Sequence, residues 1–274
     1  MKFSLILCTL NRVKEITVFF QSLSEQMYKN YEVILVDQNE DNRLDELVKE
    51  YSSIFKIVHI KSLIGLSIAR NKGLKYVTGE IIGFPDDDCI YSKNILSEVK
   101  KTFDQSEYDF ISTNSKDFYS EKALLKFPNK EVLMKGSIYN IIGTSCTLFF
   151  KKIVIQRVGE FDRELGVGGG TPYGAGEETD YVIRAIKNGF VGNYYPNLFI
   201  YHPAKELVYN KETFKRALLY GGGSGRVARK HYNIYYQAKI LITPLIKVML
   251  AFPNSKKMKF ISLNFLGRLR GFLF

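Results

Sequence analysis

Over its first 110 residues the chain alternates short apolar runs with amphipathic ones, and this alternation restricts the fold more than any other feature. Residues 2–8, 31–36, 55–60, 81–84 and 110–112 are strand-length and apolar. Between them lie helical stretches. The clearest starts near Arg12 and places Val13, Ile16, Phe20, Leu23 and Met27 at steps of three and four, the spacing of one helix face. Others are expected at 44–51, 67–76 and 93–103. A β-α-β-α order predicts an α/β, Rossmann-like fold, its mostly parallel sheet flanked by helices and joined by right-handed crossovers. Such sheets bind ligands outside the carboxyl ends of their strands, although fold alone names no function.

The run Gly83-Phe84-Pro85-Asp86-Asp87-Asp88 sits at such an end. In extended backbone, residues i and i+2 share a face, so Asp86 and Asp88 converge on one ligand while Asp87 points elsewhere. Carboxylates this close repel unless a divalent cation or several donors neutralise them; the plain alternative is a solvated acidic turn. His202 follows the strand-like Leu198-Phe199-Ile200-Tyr201. It is either a third metal ligand, one that suits Mn²⁺ better than Mg²⁺, or a core or capping histidine. Asp37, ending the second strand, could accept from a base or ribose or cap a turn. Arg70, in Ser67-Ile68-Ala69-Arg70-Asn71, could pair with a diphosphate or with a nearby Asp.

In the second half, residues 146–150 are expected as a strand, and glycines cluster from Gly166 to Gly176 as a mobile loop. Glu177 and Glu178 follow in the first turn of a helix that stops at Lys187-Asn188-Gly189. The helix dipole favours their ionised form, which suits a general base and equally suits an ordinary first turn. The glycines would let the loop fold over a ligand and exclude water. Gly221-Gly222-Gly223-Ser224-Gly225 follows a helix and lacks the Lys-Ser/Thr of a phosphate loop, so a hinge or a tight helix–helix approach is expected.

Residues 1–204 carry 25 Lys+Arg against 26 Asp+Glu, whereas residues 205–274 carry 14 against 2. The net charge of +11 therefore belongs to the last quarter, which points to an anionic surface, nucleic acid or acidic lipid. Cys8, Cys89 and Cys146 are scattered without metal-ligand spacing, as in a reduced, cytosolic compartment. The apolar start at residues 3–10 is too short for a signal peptide.

Taken in order, Ser4-Leu5-Ile6-Leu7-Cys8-Thr9-Leu10-Asn11-Arg12, Val36-Asp37, the run from Gly65 to Gly73, the run from Gly79 to Asp88, and Gly176-Glu177-Glu178-Thr179-Asp180 resemble the inverting glycosyltransferases of family 2, which have the GT-A fold. The resemblance covers about residues 2–205 and implies a catalytic domain over 1–205, nucleotide-binding in 1–110 and acceptor-binding in 111–205, before a basic helical extension over 206–274. It implies that Thr9, Leu10, Asn11, Arg12 and Asp37 cradle the nucleotide base and that Arg70 lies by the diphosphate. Asp86 and Asp87 fall on the nucleotide side, while Asp88, with His202, holds Mn²⁺ or Mg²⁺. The catalytic base is Glu178, where the family more often has Asp, or Glu177 beside it. Pro85 replaces a common Leu. The implied donor is a nucleotide-sugar, UDP-sugar by family frequency, and the reaction a hexosyl transfer with inversion, of the bacterial surface-polysaccharide type. A sugar-1-phosphate nucleotidyltransferase should show a glycine- and basic-rich signature after the first strand, which Thr9-Leu10-Asn11-Arg12 lacks.

Residues 239–252 are apolar but broken by Pro244 and Lys247, too short to span a bilayer. Residues 256–274 read as an interfacial helix with Lys257, Asn264, Arg268 and Gly271 as a narrow polar stripe and Phe260, Leu263, Phe265, Leu266, Leu269, Phe272 and Leu273 covering much of the rest. This favours peripheral attachment to the cytoplasmic face of the inner membrane and a lipid-linked oligosaccharide acceptor. A helix packed on its own domain or on a second subunit is the other reading. A nucleic-acid partner is not expected, because long aliphatic runs interrupt the charge.

Overall fold

The first strand, β1 (Phe3–Thr9), is buried at all seven positions, as befits a central strand covered on both faces. It pairs in parallel with β2 (Tyr31–Asp37) and β4 (Ile81–Gly83), and β2 with β3 (Lys56–Lys61). The computed structural model describes residues 1–204 and 206–274. Lys205, where the expected catalytic domain ends, lies outside the described residues. Two compact units emerge: Met1–Ile64, Ala69–Glu160 and Arg184–Ala204 form one; Gly65–Ile68, Phe161–Ile183 and residues 206–274 form the other.

The first unit holds, among the described residues, an eight-stranded sheet in the order β3-β2-β1-β4-β7-β5-β8-β6, completed by β5 (Phe110–Lys116), β6 (Val132–Met134), β7 (Leu148–Lys151) and β8 (Gly192–Tyr201). Insertion of β7 antiparallel between β4 and β5, and of β6 antiparallel on β8, makes the sheet mixed but mostly parallel, the arrangement expected of a GT-A fold. The crossover helices α1 (Lys14–Ser24), α2 (Asp45–Tyr51) and α4 (Ile95–Asp104) lie in this unit with α5 (Lys152–Val158). Ile16, Phe19, Phe20 and Leu23 of α1 are buried with Phe3, Leu35 and Phe149 in one core.

The helical phase predicted for this region holds, but its ends differ. The helix starts at Lys14, because Asn11 takes a left-handed backbone (φ 60°) that turns the chain first. Met27 lies past the helix end and is 74% exposed. The strand expected at 146–150 begins later. Ser145–Thr147 is a 3-10 turn capped by Thr144, and the strand follows at Leu148.

One irregularity positions the site. Pairing of β5 with β8 jumps from Thr113–Tyr195 to Asn114–Phe199. Pro196, with no N–H to donate, lies in the unpaired stretch. The strand resumes in a new register, and Tyr201 exchanges two backbone hydrogen bonds of 2.9 Å with Ile90. His202 is thereby fastened two residues from the acidic run.

Helices α3 (Leu66–Leu74) and α6 (Glu177–Lys187) each run across the division between units. The second unit also contains α7 (Lys211–His231), α8 (Ile234–Leu250) and α9 (Ser255–Leu273). The glycine run lies inside α7, where four buried glycines cost about 1 kcal/mol each relative to Ala. Packing offsets that cost. A Cβ on Gly221 or Gly225 would overlap the carbonyl oxygens of Asn264 and Arg268 on α9, and one on Gly267 or Gly271 those of Leu218 and Gly222 on α7. The run is a tight helix–helix approach.

The polar stripe of α9, apart from exposed Lys257, is thereby turned inward, while its apolar side stays partly open. Asn264, Arg268 and Gly271 of the supposed solvent stripe lie on the seam with α7: Asn264 donates to the Ala217 carbonyl at 3.1 Å, and Gly271 is buried. Leu266 and Leu273, placed on the apolar side, are 51% and 61% exposed. Small residues went inward because backbones can approach only where side chains are short. The glycine cluster before α6, expected to be a mobile loop, is tied down: Gly166 N–H donates to the Tyr173 carbonyl at 2.9 Å and Ser67 Oγ to that of Leu165 at 2.6 Å. Among the described residues no helix is long and apolar enough to cross a membrane.

Candidate active site

At the carboxyl end of β4 the chain leaves the sheet as a turn, closed by a hydrogen bond from Cys89 N–H to the Asp86 carbonyl at 3.1 Å. Asp87 and Asp88 lie in this turn and not in a strand. The expected divergence still occurs, because a turn also splays successive side chains. Asp86 and Asp88 face His202, with oxygens 4.0 and 3.0 Å from its Nε2, while Asp87 points back to β1 and accepts from Thr9 Oγ1 at 2.8 Å.

Cations surround the three carboxylates. Arg12 Nη1 reaches Asp87 Oδ1 and Asp88 Oδ2, both at 2.7 Å. Arg70 is 2% exposed, lies over the Phe84 ring and approaches Asp86 at 3.8 Å. Burial, opposed by Arg70 and His202, raises the pKa of Asp86. Burial also lifts Asp87 to about 6, despite Arg12 and Thr9. For His202, burial disfavours the charge, but the hydrogen bond to Asp88 and the field of both carboxylates outweigh it and raise its pKa. The pocket favours added positive charge.

The donor atoms of Asp86, Asp88 and His202 lie within 4.8 Å of one another. Two carboxylates and an imidazole make a mixed O/N set that suits Mn²⁺, and suits Mg²⁺ less well. Nδ1 of His202 lies 3.0 Å from the Pro203 carbonyl, a bond that aims Nε2 at the carboxylates. The fold also assembles Asp86 with Cys89 and Cys146, a grouping invisible in the cysteine spacing. Burial raises the Cys89 thiol well above its ordinary pKa. A thiol held protonated is a poor metal ligand, so the histidine set fits better.

The other expected nucleotide residues frame this centre. Leu10 and Asn11 form the turn after β1, and Asn11 N–H donates to Asn39 Oδ1 at 2.7 Å. Asp37 is fully buried. It accepts from Asn39 N–H at 2.8 Å and from Lys61 Nζ at 2.9 Å, with His59 Nε2 at 3.1 Å. Burial opposes its charge, but these partners prevail and lower its pKa. Asp37 thus organises the loop after β2, which is the turn-capping alternative expected of an acid at that strand end.

Glu177 and Glu178 belong to the second unit. Glu177 is 5% exposed, and a Cβ on Gly166 would sit 3.4 Å from its carboxylate. Glu178 is half-buried. Two residues on, Asp180 is fully buried and paired with Lys230 Nζ at 2.6 Å and His231 Nε2 at 2.7 Å. Reading the sequence yields no role for this cluster. Its one signal is the basic end of α7, Arg229-Lys230-His231.

A mostly parallel sheet whose carboxyl edge gathers acids, a histidine and two arginines defines an α/β protein built to bind a charged ligand at that edge. The profile of Glycosyl transferase family 2 matches residues 4–157, and the chain belongs to that family. It is 27% identical over 178 residues to the minor teichoic acid biosynthesis protein GgaB of Bacillus subtilis, covering 61% of this chain but only 20% of GgaB. An amylovoran biosynthesis glycosyltransferase, AmsB of Erwinia amylovora, is 28% identical over 205 residues, 69% of this chain and 65% of AmsB. Among solved structures, a Pyrobaculum calidifontis mannosyltransferase in complex with GDP-Man and Mn²⁺ superposes with a TM-score of 0.68 at 14% identity, covering 99% of this chain and 87% of that one. S. aureus TarS 1–349 in complex with UDP-GlcNAc gives 0.64 at 16%, covering 98% and 91%. These likenesses establish the fold.

Proposed function

We propose that this chain is an inverting glycosyltransferase that moves a sugar from a nucleotide-sugar, preferably a UDP-sugar, to a hydroxyl of a lipid-linked saccharide in polysaccharide or O-antigen assembly. The observation that carries the reading is the convergence of Asp86, Asp88 and His202 at the β4 edge, in a chain of this family. Asp86, Asp88 and His202 would hold Mn²⁺ or Mg²⁺, which when bound neutralises charge on the departing nucleoside diphosphate. Thr9 through Arg12 and the loop shaped by Asp37 border the nucleotide, and buried Arg70 adds a fixed positive charge on the diphosphate side. Glu178, less buried than Glu177, takes the proton of the acceptor hydroxyl as that oxygen attacks the anomeric carbon. A single displacement inverts the stereochemistry, so a UDP-α-sugar yields a β-linkage.

In this reading residues 1–110 serve the nucleotide, 111–205 the acceptor, and the helical extension a membrane. Exposed Ile242, Leu245, Ile246, Met249 and Leu250 on α8 support the last role, because contiguous apolar surface marks an interaction site. The 14 Lys+Arg from 205 onward suit anionic lipid at the cytoplasmic face.

The test is nucleoside-diphosphate release from UDP-, GDP- and dTDP-sugars with Mn²⁺, Mg²⁺ or EDTA. TarS was solved with UDP-GlcNAc and the mannosyltransferase with GDP-Man, so the screen spans both bases. Metal-dependent turnover of a UDP-sugar is expected. Failure of every nucleoside diphosphate to bind in the presence of Mn²⁺, measured by calorimetry, overturns the reading.

A further inference from the structure

Within the second unit, a cavity of about 240 Å³ is lined by Gly176 and Thr179 at the start of α6, Val227 of α7, Tyr236 and Ile240 of α8, and Arg268 of α9. It is smaller than the roughly 300–1,000 Å³ of sites that engulf a drug-sized ligand, a size that suits a head group. Arg268 is the charged group of this lining. Its Nη1 donates to the Ile240 carbonyl at 2.8 Å and its Nε to Asn264 Oδ1 at 3.0 Å. Both partners are neutral, and among the described residues no carboxylate pairs with it. Burial lowers its pKa, with no acidic group acting to raise it.

A half-buried guanidinium without a counter-ion is costly unless a ligand supplies the charge. Its two protein bonds fix the plane of the fork, the geometry that matches a phosphate. Asp180, in the first turn of α6, is already paired with Lys230 and His231. The lining adds the hydroxyls of Thr179 and Ser224 to an apolar wall in which Tyr232 packs edge-on to Tyr236 at 4.7 Å. Tyr236 and Ile240, one turn apart on the inner face of α8, form one wall of the cavity, and the exposed Ile242, Leu245 and Ile246 lie on the opposite face.

Resting on the glycosyltransferase reading, we infer that this cavity is an acceptor subsite: Arg268 binds the phosphate of a lipid-linked acceptor whose apolar chain rests on Tyr236 and Ile240. Gly176 and Thr179 flank Glu177 and Glu178 in the chain. A phosphate held there brings the acceptor to the helix that carries the proposed base.

Binding of dodecyl phosphate, dodecyl maltoside and inorganic phosphate to the full-length chain tests the inference by calorimetry, with UDP plus Mn²⁺ titrated in parallel. Dodecyl phosphate should bind more tightly than either control. Arg268→Gln should weaken it at least about tenfold, as expected for a lost charge-assisted hydrogen bond. Ile240→Glu, which keeps Arg268 but supplies an internal carboxylate, should do the same, so that misfolding of one variant leaves the other informative. UDP–Mn²⁺ affinity should be unchanged in both. Dodecyl phosphate binding no better than dodecyl maltoside, or indifferent to both substitutions, overturns the subsite. Inorganic phosphate binding as tightly as dodecyl phosphate overturns the lipid acceptor. Loss of UDP–Mn²⁺ binding in the unmodified chain sinks the glycosyltransferase reading separately.

Discussion

The acidic edge of the sheet and the α7–α9 seam use opposite means to bring distant segments together. At the edge, charge does it: Arg12 bridges Asp87 and Asp88 at 2.7 Å, and His202 closes on Asp88 at 3.0 Å. At the seam, absence of side chains does it: Gly221, Gly225, Gly267 and Gly271 let two backbones touch. The first arrangement answers to pH, metal and counter-charge. The second answers to volume. A motif of contiguous charged residues is legible because its chemistry is local, whereas a seam of small residues has meaning only once its partner helix is known.

Several changes would break or sharpen this contrast. The largest effect should come from Glu178→Gln, which removes the proposed base and lowers sugar transfer by about 10²–10⁴-fold with donor binding retained. Glu177→Gln should fall well short of that, and the reverse ranking would move the base to Glu177. Asp88→Ala should lower metal-dependent release of nucleoside diphosphate by roughly 10²–10³-fold, and equal rates with Mn²⁺ and EDTA in the unmodified chain would remove the metal from the mechanism.

Glu32 offers a charge-held contact away from the site. It is fully buried between Lys2 and Lys56, at 2.7 and 2.9 Å. Burial opposes its charge, but bonds from Lys2, Thr78, Lys56 and Ser4 prevail and hold its pKa below the ordinary value. A depressed folded pKa means the stabilisation is complete above about pH 4.3 and is lost as pH falls through the folded value. Glu32→Gln should therefore cost about 1.5–3 kcal/mol at pH 7, and urea titrations should show that difference shrinking as the buffer is acidified further below pH 4.

At the seam, Gly225→Leu should destabilise by about 1–3 kcal/mol through overpacking, with no dependence on pH over the same range. A neutral outcome in chemical denaturation would mean that α9 does not rest on α7 in solution. The smallest effect belongs to the tail charges. Lys256→Glu and Lys259→Glu should each weaken binding to anionic vesicles by about 1 kcal/mol or more, and binding that ignores both charge and salt would point to a protein partner instead.

Much of the acidic edge is legible in the sequence because each of its parts is signalled locally. A buried strand marks where the chain reaches the sheet edge, and Asp86, Asp87 and Asp88 follow at once. His202 was readable as a candidate only. Its delivery depends on the register jump at Pro196 and the Ile90–Tyr201 bridge, neither of which has a sequence code. Arg12 could be placed after β1, but not on Asp87 and Asp88. The Asp180–Lys230–His231 cluster escaped notice because fifty residues separate its members.

By itself, then, the sequence determined the alternating α/β order, the acidic turn, the Glu177–Glu178 helix start and the concentration of positive charge in the last quarter. These follow from periodicity and composition, which are properties of neighbouring residues. The tertiary structure decided which face of α9 is buried, what the α7 glycines touch, which of its two readings Asp37 follows, and that Arg268 lines a cavity where its bonds go to neutral partners. Those outcomes depend on distances between segments far apart in the chain, and on which of several similar surfaces packs most closely. A helix with small residues on one side and aliphatic ones on the other reads as amphipathic in either orientation; only the partner backbone selects between them.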